Sequence, residues 1–500
     1  QVMRVASVAG AVVTLEHAMP SSISLASELW VSTSGNNSTG TRGNPALPFL
    51  TIGAAITAAS AGDTIHIGAG TYAEQVNVSK SRLTLRGAGL YSAVVSYSGT
   101  QVGITIASSV TDTVLENLEI DGQRTTSTEV SGYSNTEGCA VLLSAGNHRT
   151  RINRVKVTNP GGYAIFSNNG TTSDDLTVTD CYLASVATSS TTLVAKEVRY
   201  GILNFGGVNH LYSGNFITGF SQAIGLWYGA AKCRVLANRA YYNFGKSGTG
   251  GTAVRSAFED YGATASTHGN NFWHGNYVEG TTSKCFEIAT GTVGSTYSNN
   301  VCTFVSSTLN TNYNAFDLTS DSGEPTNRIT IIGNTVNGGG LASGVGIQVS
   351  GALAGLSATG NTFNACGAHG VYIGGTSTAG GMTISGNTFR TCDVGIFLNN
   401  NGDGFTIADN AFINGANNQI DIRSGTGHSI TGNSITGSTA GICLYILPAA
   451  SRTIVSGNTI VSSSASVRGI YINASDCIIT DNSVTLTARA NQDSTCTIYN

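Results

Sequence analysis

The sequence predicts an all-β parallel solenoid, and two recurring phrases together with the composition carry that prediction. In the first phrase, Gly333-Asn334-Thr335-Val336 returns around Asn361, Asn387, Asn410, Asn433, Asn458 and Asn482. These asparagines lie 27, 26, 23, 23, 25 and 24 residues apart, which is the spacing of a structural repeat. Three residues before each stands a mostly apolar residue: Ile331, Ala358, Ile384, Ile407, Ile430, Val455 and Ile479. In the second phrase, Gly346-Ile347-Gln348-Val349 returns as Gly370-Val371-Tyr372-Ile373, Gly395-Ile396-Phe397-Leu398, Gln419-Ile420-Asp421-Ile422, Gly441-Ile442-Cys443-Leu444 and Gly469-Ile470-Tyr471-Ile472. Its alternation with period two marks a strand with one buried face. A unit this small cannot bury its apolar face alone, so the units must stack, each coil about 4.8 Å above the last. Asn suits the turn because it tolerates left-handed backbone and its amide can bond the equivalent Asn one coil away.

Composition agrees. Charged residues make up 10% of the 500-residue chain, against about 25% in an ordinary globular domain, and glycine numbers 64. That balance fits turn-rich repetitive β structure rather than a helical enzyme. With a net charge of −4 and no basic run, a nucleic-acid groove is excluded as a leading reading. No apolar run approaches the ~18 residues of a membrane span, so membrane insertion is not expected. The sequence carries no signal-peptide pattern and opens on Gln1, which reads as a piece of something longer. The ten cysteines show no CxxC pair and no histidine at metal-ligand spacing, so they are expected as buried, reduced small hydrophobes, with disulfides between coils as the alternative.

Taken in order, residues 1–28 stand outside the repeat and form an N-terminal β neck or connector, with strands at Val2-Met3-Arg4-Val5 and Ala11-Val12-Val13-Thr14-Leu15. Residues 29–100 hold a cap and the first coils, with a short alanine-rich helix from Gly53 to Ala59 that shields the open end. Residues 101–500 form the solenoid body. Looser equivalents of the Asn turn fall at Asp121, Asn215, Asn238, Asn276 and Asn300. Longer connections follow them, from Asp121 to Val141, Asn238 to Phe258 and Asn300 to Phe316. Insertions on one corner of a regular solenoid build walls, which places a groove over about residues 120–330.

The run from Trp30 to Gly89, with Pro48-Phe49-Leu50-Thr51-Ile52, Ala61-Gly62-Asp63-Thr64-Ile65 and Leu83-Thr84-Leu85-Arg86-Gly87, resembles the start of the pectin-lyase-like right-handed parallel β-helix superfamily. The Gly-Asn and Gly-Ile phrases are similar to its repeats, and together they cover about 90% of the chain. The resemblance implies a right-handed parallel β-helix but not one chemistry, because lyases, hydrolases, epimerases and noncatalytic binders share it. The β element ahead of the helix and the Ser/Thr/Asn-rich style are similar to bacteriophage tailspikes. That implies a homotrimer on the virion tail, extracellular, that binds and cleaves a bacterial surface polysaccharide.

Aligning the strands beside the long connections gives a candidate site. Phe258, Phe286 and Phe316 take the inward place of Ile347 and Val371, while Glu259, Glu287 and Asp317 take the outward place of Gln348 and Tyr372; Asp260 lies beside them. Carboxylates on neighbouring coils stand roughly 5 Å apart and the outer pair roughly 10 Å. Mutual repulsion raises the pKa of one, making it a general acid while another stays ionised. Such a column serves a retaining or an inverting glycosidase, with Glu259 and Asp317 as the inverting pair. Clustered acids also bind Ca²⁺. The superfamily resemblance implies that a lyase would use such an ion with an Arg or Lys base, for which Arg255 and Lys284 stand nearest; no other cofactor or metal is expected. Trp227 and Tyr228, one coil before Glu259, are candidates to stack on a sugar, and Tyr372 and Phe397 continue the outward column as a saccharide track or a subunit contact. Trp273, in the column of Ile331 and Ile384, belongs to the core.

The leading function is therefore an endo-acting glycoside hydrolase that depolymerises a bacterial surface glycan. A noncatalytic receptor-binding solenoid and a polysaccharide lyase are the alternatives.

Overall fold

The computed structural model describes residues 5–9, 12–15, 27–98, 101–125, 138–168, 173–185, 200–241, 246–247, 253–254, 256–262, 268–281, 284–305, 313–320, 326–374, 381–399, 402–487 and 497–498. It is a right-handed parallel β-helix of three sheets. The first sheet runs from the strand Glu28–Val31 to Ile478–Thr480. The second, of 16 strands, runs from Gly70–Ala73 to Ser483–Leu486. The third, also of 16 strands, runs from Val76–Val78 to Thr497–Ile498. Each coil crosses the first sheet, turns at the Asn position, crosses the second and then the third.

The cap is a helix, Ile52–Ala58, one residue earlier than expected. Thr51 caps it by accepting from the Ala54 amide, and the Glu74 carboxylate accepts from the Ile52 and Gly53 amides at 2.8 and 3.0 Å. Its buried Ile52, Ala55 and Ile56 pack on the first strands of the first and third sheets. The N-terminal element is an antiparallel pair, Val5–Ala9 with Val12–Leu15. Its first strand begins three residues later than the sequence placed it.

The Asn ladder is continuous from Asn215 to Asn482. At Asn387, Nδ2 donates to Asn410 Oδ1 at 3.0 Å and to the Ala358 carbonyl at 2.9 Å, while Oδ1 accepts from the Asn361 amide and Nδ2 at 2.8 and 2.9 Å. Every polar atom of a buried amide is thereby satisfied, and each coil is tied to the next by side chain as well as backbone. The left-handed residue is the one before the Asn, Gly386 at φ 63° or Asp409 at 56°, and the Asn itself is spared. This corrects the sequence reading: glycine recurs there because it is the turn residue with positive φ. Asp121 is not a ladder equivalent either. It sits in the strand Glu119–Asp121, and the turn position in that coil is Leu118, followed upward by Val155 and Cys181. Below Asn215 the ladder is therefore apolar.

Inward stacks fill the interior. Phe258, Phe286 and Phe316 lie in register on the third sheet with ring centroids 5.1 Å apart, as the aligned strands predict. On the second sheet Phe363, Phe389 and Phe412 stack at 5.1 and 4.8 Å. The glycine of the Gly-Ile phrase makes room for them: a Cβ on Gly370 would fall 2.3 Å from the Phe389 ring. One strand departs from the expected register. In Gly441–Ala449, Leu444 rather than Ile442 pairs with inward Ile420, so Tyr445 takes the outward place expected of Cys443. Eight of the nine described cysteines are buried and all nine are free, Cys477 being half-buried.

Candidate functional site

The third sheet carries the predicted carboxylate column. Glu259 pairs with Glu287 and Glu287 with Asp317 on consecutive coils, while Gly225 below and Gln348 above close the acidic run. A second polar column stands three residues earlier, where Ser256 pairs with Lys284 and Lys284 with Asn314. Sequence reasoning singled out only Lys284 from it, although the residue three before each acid in the aligned strands carries the signal. In the Glu259 coil both connections that flank this sheet are long, with residues 242–255 entering the strand Ser256–Tyr261 and residues 262–271 leaving it, whereas the Glu287 strand is entered by residues 282–283 and left by residues 290–295.

The two columns interlock. Lys284 Nζ lies 2.8 Å from Glu287 Oε1 and also pairs with Asp317 Oδ2, whose other oxygen accepts from Asn314 Nδ2 at 3.1 Å. Burial works against the lysine charge, but Glu287 and Asp317 outweigh it and raise its pKa. Glu259 Oε2 accepts from Tyr200 Oη at 2.9 Å, Gln222 Nε2 at 2.9 Å and Trp227 Nε1 at 2.6 Å, which holds the carboxylate in one orientation. Tyr200 and Gln222 were not foreseen, because they reach Glu259 from neighbouring coils. For Glu287, burial pushes the carboxyl up; Lys284 pulls it back, Glu259 and Asp317 add to the rise, and the result is about 7. Its side chain keeps 16% exposure, whereas Asp317 keeps 4%.

Asp260 does not join this column. It occupies the inward place of Leu226, Ile288 and Val349 and is 1% exposed. Its Oδ1 meets His268 Nε2 at 2.6 Å and Asn271 Nδ2 at 2.8 Å, and its Oδ2 accepts from Tyr297 Oη at 2.7 Å and Trp273 Nε1 at 3.2 Å. Burial opposes its ionisation, but His268, Tyr297 and Asn271 prevail and lower its pKa. A carboxylate closed off by four donors inside the core is structural, which corrects its assignment to catalysis. Trp273 is core, as expected, with its indole N–H spent on Asp260.

Trp227 is half-buried and bound to Glu259, so it positions that acid. Tyr228 is 43% exposed and edge-on to Phe205 and Tyr261. Arg255 lies outside the described residues. Tyr372 and Phe397 do continue the column and stack at 5.4 Å, but Phe397 is only 9% exposed, with the Arg423 guanidinium 4.5 Å above it. That covered ring is not the open track expected. His210 and His428 both bond backbone through both ring nitrogens and are structural. Two cavities among the described residues, of about 630 and 510 Å³, lie on the second and first sheets.

Residues 345–494 match the family "Periplasmic copper-binding protein (NosD)". Among the described residues no three His, Cys, Asp or Glu side chains converge in a way that would hold a metal ion. Comparison with curated proteins finds no match. Among solved structures, the pre-mature gene product 12 of bacteriophage phi29 is similar over 84% of this chain and 68% of that one, at 12% identity and a TM-score of 0.51. The full-length tailspike protein 2 of Escherichia coli O157:H7 bacteriophage CAB120 covers 61% of this chain and 39% of that one, at 11% identity and 0.44. The catalytic domain of a GH87 alpha-1,3-glucanase covers 97% and 71%, at 11% identity and 0.41. At these identities the likeness concerns the fold. No helix of the described residues is long and apolar enough to cross a membrane.

Proposed function

We propose that this β-helix is an extracellular glycoside hydrolase that cleaves a bacterial surface polysaccharide, with Glu287 as general acid and Glu259 as its partner. The observation that carries the reading is Glu287 itself: a partly exposed carboxyl raised to about 7, flanked by two acids in register. A carboxyl with that pKa is protonated often enough near neutrality to donate to a leaving glycosidic oxygen. Glu259 stands one strand spacing away, about 4.8 Å between backbones, which is compatible with the roughly 5 Å between the carboxyl groups of a retaining pair. It attacks the anomeric carbon as Glu287 protonates the departing oxygen. Water deprotonated by Glu287 then releases the sugar from Glu259. The wider pair, Glu259 with Asp317, is less suited, because Lys284 and Asn314 occupy both oxygens of Asp317. A lyase finds less support because Lys284, one of its two base candidates, is held as a cation. The tailspike-like homotrimer on a virion tail belongs to the same proposal.

The test is to incubate the chain with a panel of bacterial surface polysaccharides while following reducing ends and ultraviolet absorbance. New reducing ends without absorbance are expected, falling about 10²–10⁴-fold in Glu287→Gln with the melting curve retained. Absorbing, unsaturated products point to a lyase instead. Binding with neither signal leaves a noncatalytic receptor binder.

A further inference from the structure

The second sheet carries a feature that the carboxylate column does not use. Along its outward face Tyr182 pairs with Phe216, Phe216 with Arg239, Arg239 with Tyr277 and Tyr277 with Val301, while the adjacent outward column holds Thr218, Tyr241, Glu279 and Thr303. Further along, the first column shrinks to Thr335, Thr362, Thr388, Ala411 and Ser434. The aromatic groups thus fall in the coils whose third-sheet strands bear Glu259 and Glu287 and in the two coils below them, while the Asp317 coil carries Val301 and Thr303.

Tyr182 and Phe216 are parallel within 1° at 5.3 Å, and Tyr182 remains 40% exposed. Above Phe216 opens a cavity of about 630 Å³, walled by Phe216, Tyr241 and Tyr277 and edged by Arg239 and Glu279. Tyr277 Oη donates to Glu279 Oε2 at 2.6 Å, which fixes both side chains. Rings lining a cavity of this size, with a few placed polar groups, form an ordinary ligand site. An isolated solvent-facing sheet gains nothing from four large aromatics on one outward patch. Sugars match the combination: C–H faces lie on aromatic rings while hydroxyls bond a guanidinium and a carboxylate.

We infer that this platform is a second glycan-binding site, which holds a segment of the same polysaccharide on the sheet next to the carboxylate column. The inference rests on the proposed polysaccharide substrate. Two sites on one chain raise the apparent affinity for a long polymer without adding a contact to either site. A short fragment that fills only the carboxylate column gains nothing from the platform.

The experiment uses the Glu287→Gln chain, which binds without cleaving, and a polysaccharide from the panel, both full-length and cut to short oligosaccharides. Arg239→Ala and Phe216→Ala, placed separately in that background, are expected to weaken binding of the full-length polymer at least tenfold in titration calorimetry. Both should leave the affinity of short fragments for the carboxylate column within twofold and remove only the second equivalent of fragment that the platform binds. Arg239 is exposed, so its removal leaves folding intact even where Phe216→Ala does not. Equal binding of the long polymer by the Arg239→Ala and parent backgrounds overturns the second site and leaves the hydrolase reading standing. If the parent chain binds no polysaccharide in the panel, both readings fall together.

Discussion

The coils between Tyr200 and Leu318 and those between Gly344 and Ile472 share three sheets and one Asn ladder, yet they are filled differently. In the later coils the inward place of Asp260 is held by Val349, Ile373, Leu398 and Ile422, and the first-sheet column by Ile331, Ala358 and Ile384. In the earlier coils the same positions hold Asp260, Trp273 and Tyr297, all buried. Outside, Glu259, Glu287 and Asp317 stand where Gln348, Tyr372 and Phe397 stand later. The contrast teaches that the repeat fixes position and leaves content free: a carboxylate is held at the inward place of Asp260 because donors from its own and later coils meet both of its oxygens.

That comparison breaks most sharply at Asp260. Asp260→Leu makes the column apolar from Leu226 upward, yet it removes the acceptor that His268, Trp273 and Tyr297 share and one of the two acceptors of Asn271. A loss of about 3–5 kcal/mol is expected in urea unfolding; a variant as stable as the parent shows that the polar core is dispensable. In the regular coils, Asn387→Ala removes four hydrogen bonds from a 1%-exposed amide. The expected loss is about 3 kcal/mol, set by the orphaned Asn361 groups and the Ala358 carbonyl. A change under about 1 kcal/mol places the stability in the backbone ladders alone.

The smallest effect separates the two regions by pH. The folded-state pKa of Glu287 is raised, from an ordinary 4.5 to about 7. The folded chain therefore binds the proton more tightly than the unfolded chain does. The associated stability is complete below about pH 4.5 and is lost as pH rises through about 7, about 3 kcal/mol for the whole shift before solvent screening at the partly exposed carboxyl lowers it. Melting curves of Glu287→Gln, which cannot ionise, should lack that decline. Parallel declines in both proteins remove Glu287 as its source, and with it the argument for a general acid.

Much of this was legible in advance because a solenoid turns sequence spacing into spatial register. Aligning Ala257-Phe258-Glu259 with Cys285-Phe286-Glu287 and Ala315-Phe316-Asp317 was enough to stack both the rings and the acids. The same logic failed where the repeat is irregular. The Asp121 coil has Leu118 at the turn, and the strand Gly441–Ala449 is long enough for a two-residue slip that hides Cys443 and presents Tyr445.

What the sequence alone determined is therefore the coil, its period and the rows in which its side chains lie, since these follow from local alternation and a turn repeated at near-constant spacing. Only the tertiary structure decided what each row does. Asp260 and Glu259 are neighbours in sequence, but one faces Trp273 and Tyr297 across the core and the other faces Tyr200, Gln222 and Trp227. Gly370 reads as a strand start until the Phe389 ring fills the space a Cβ would need. Burial and hydrogen-bond partners come from other coils and other sheets, tens of residues away, and local pattern carries no information about them.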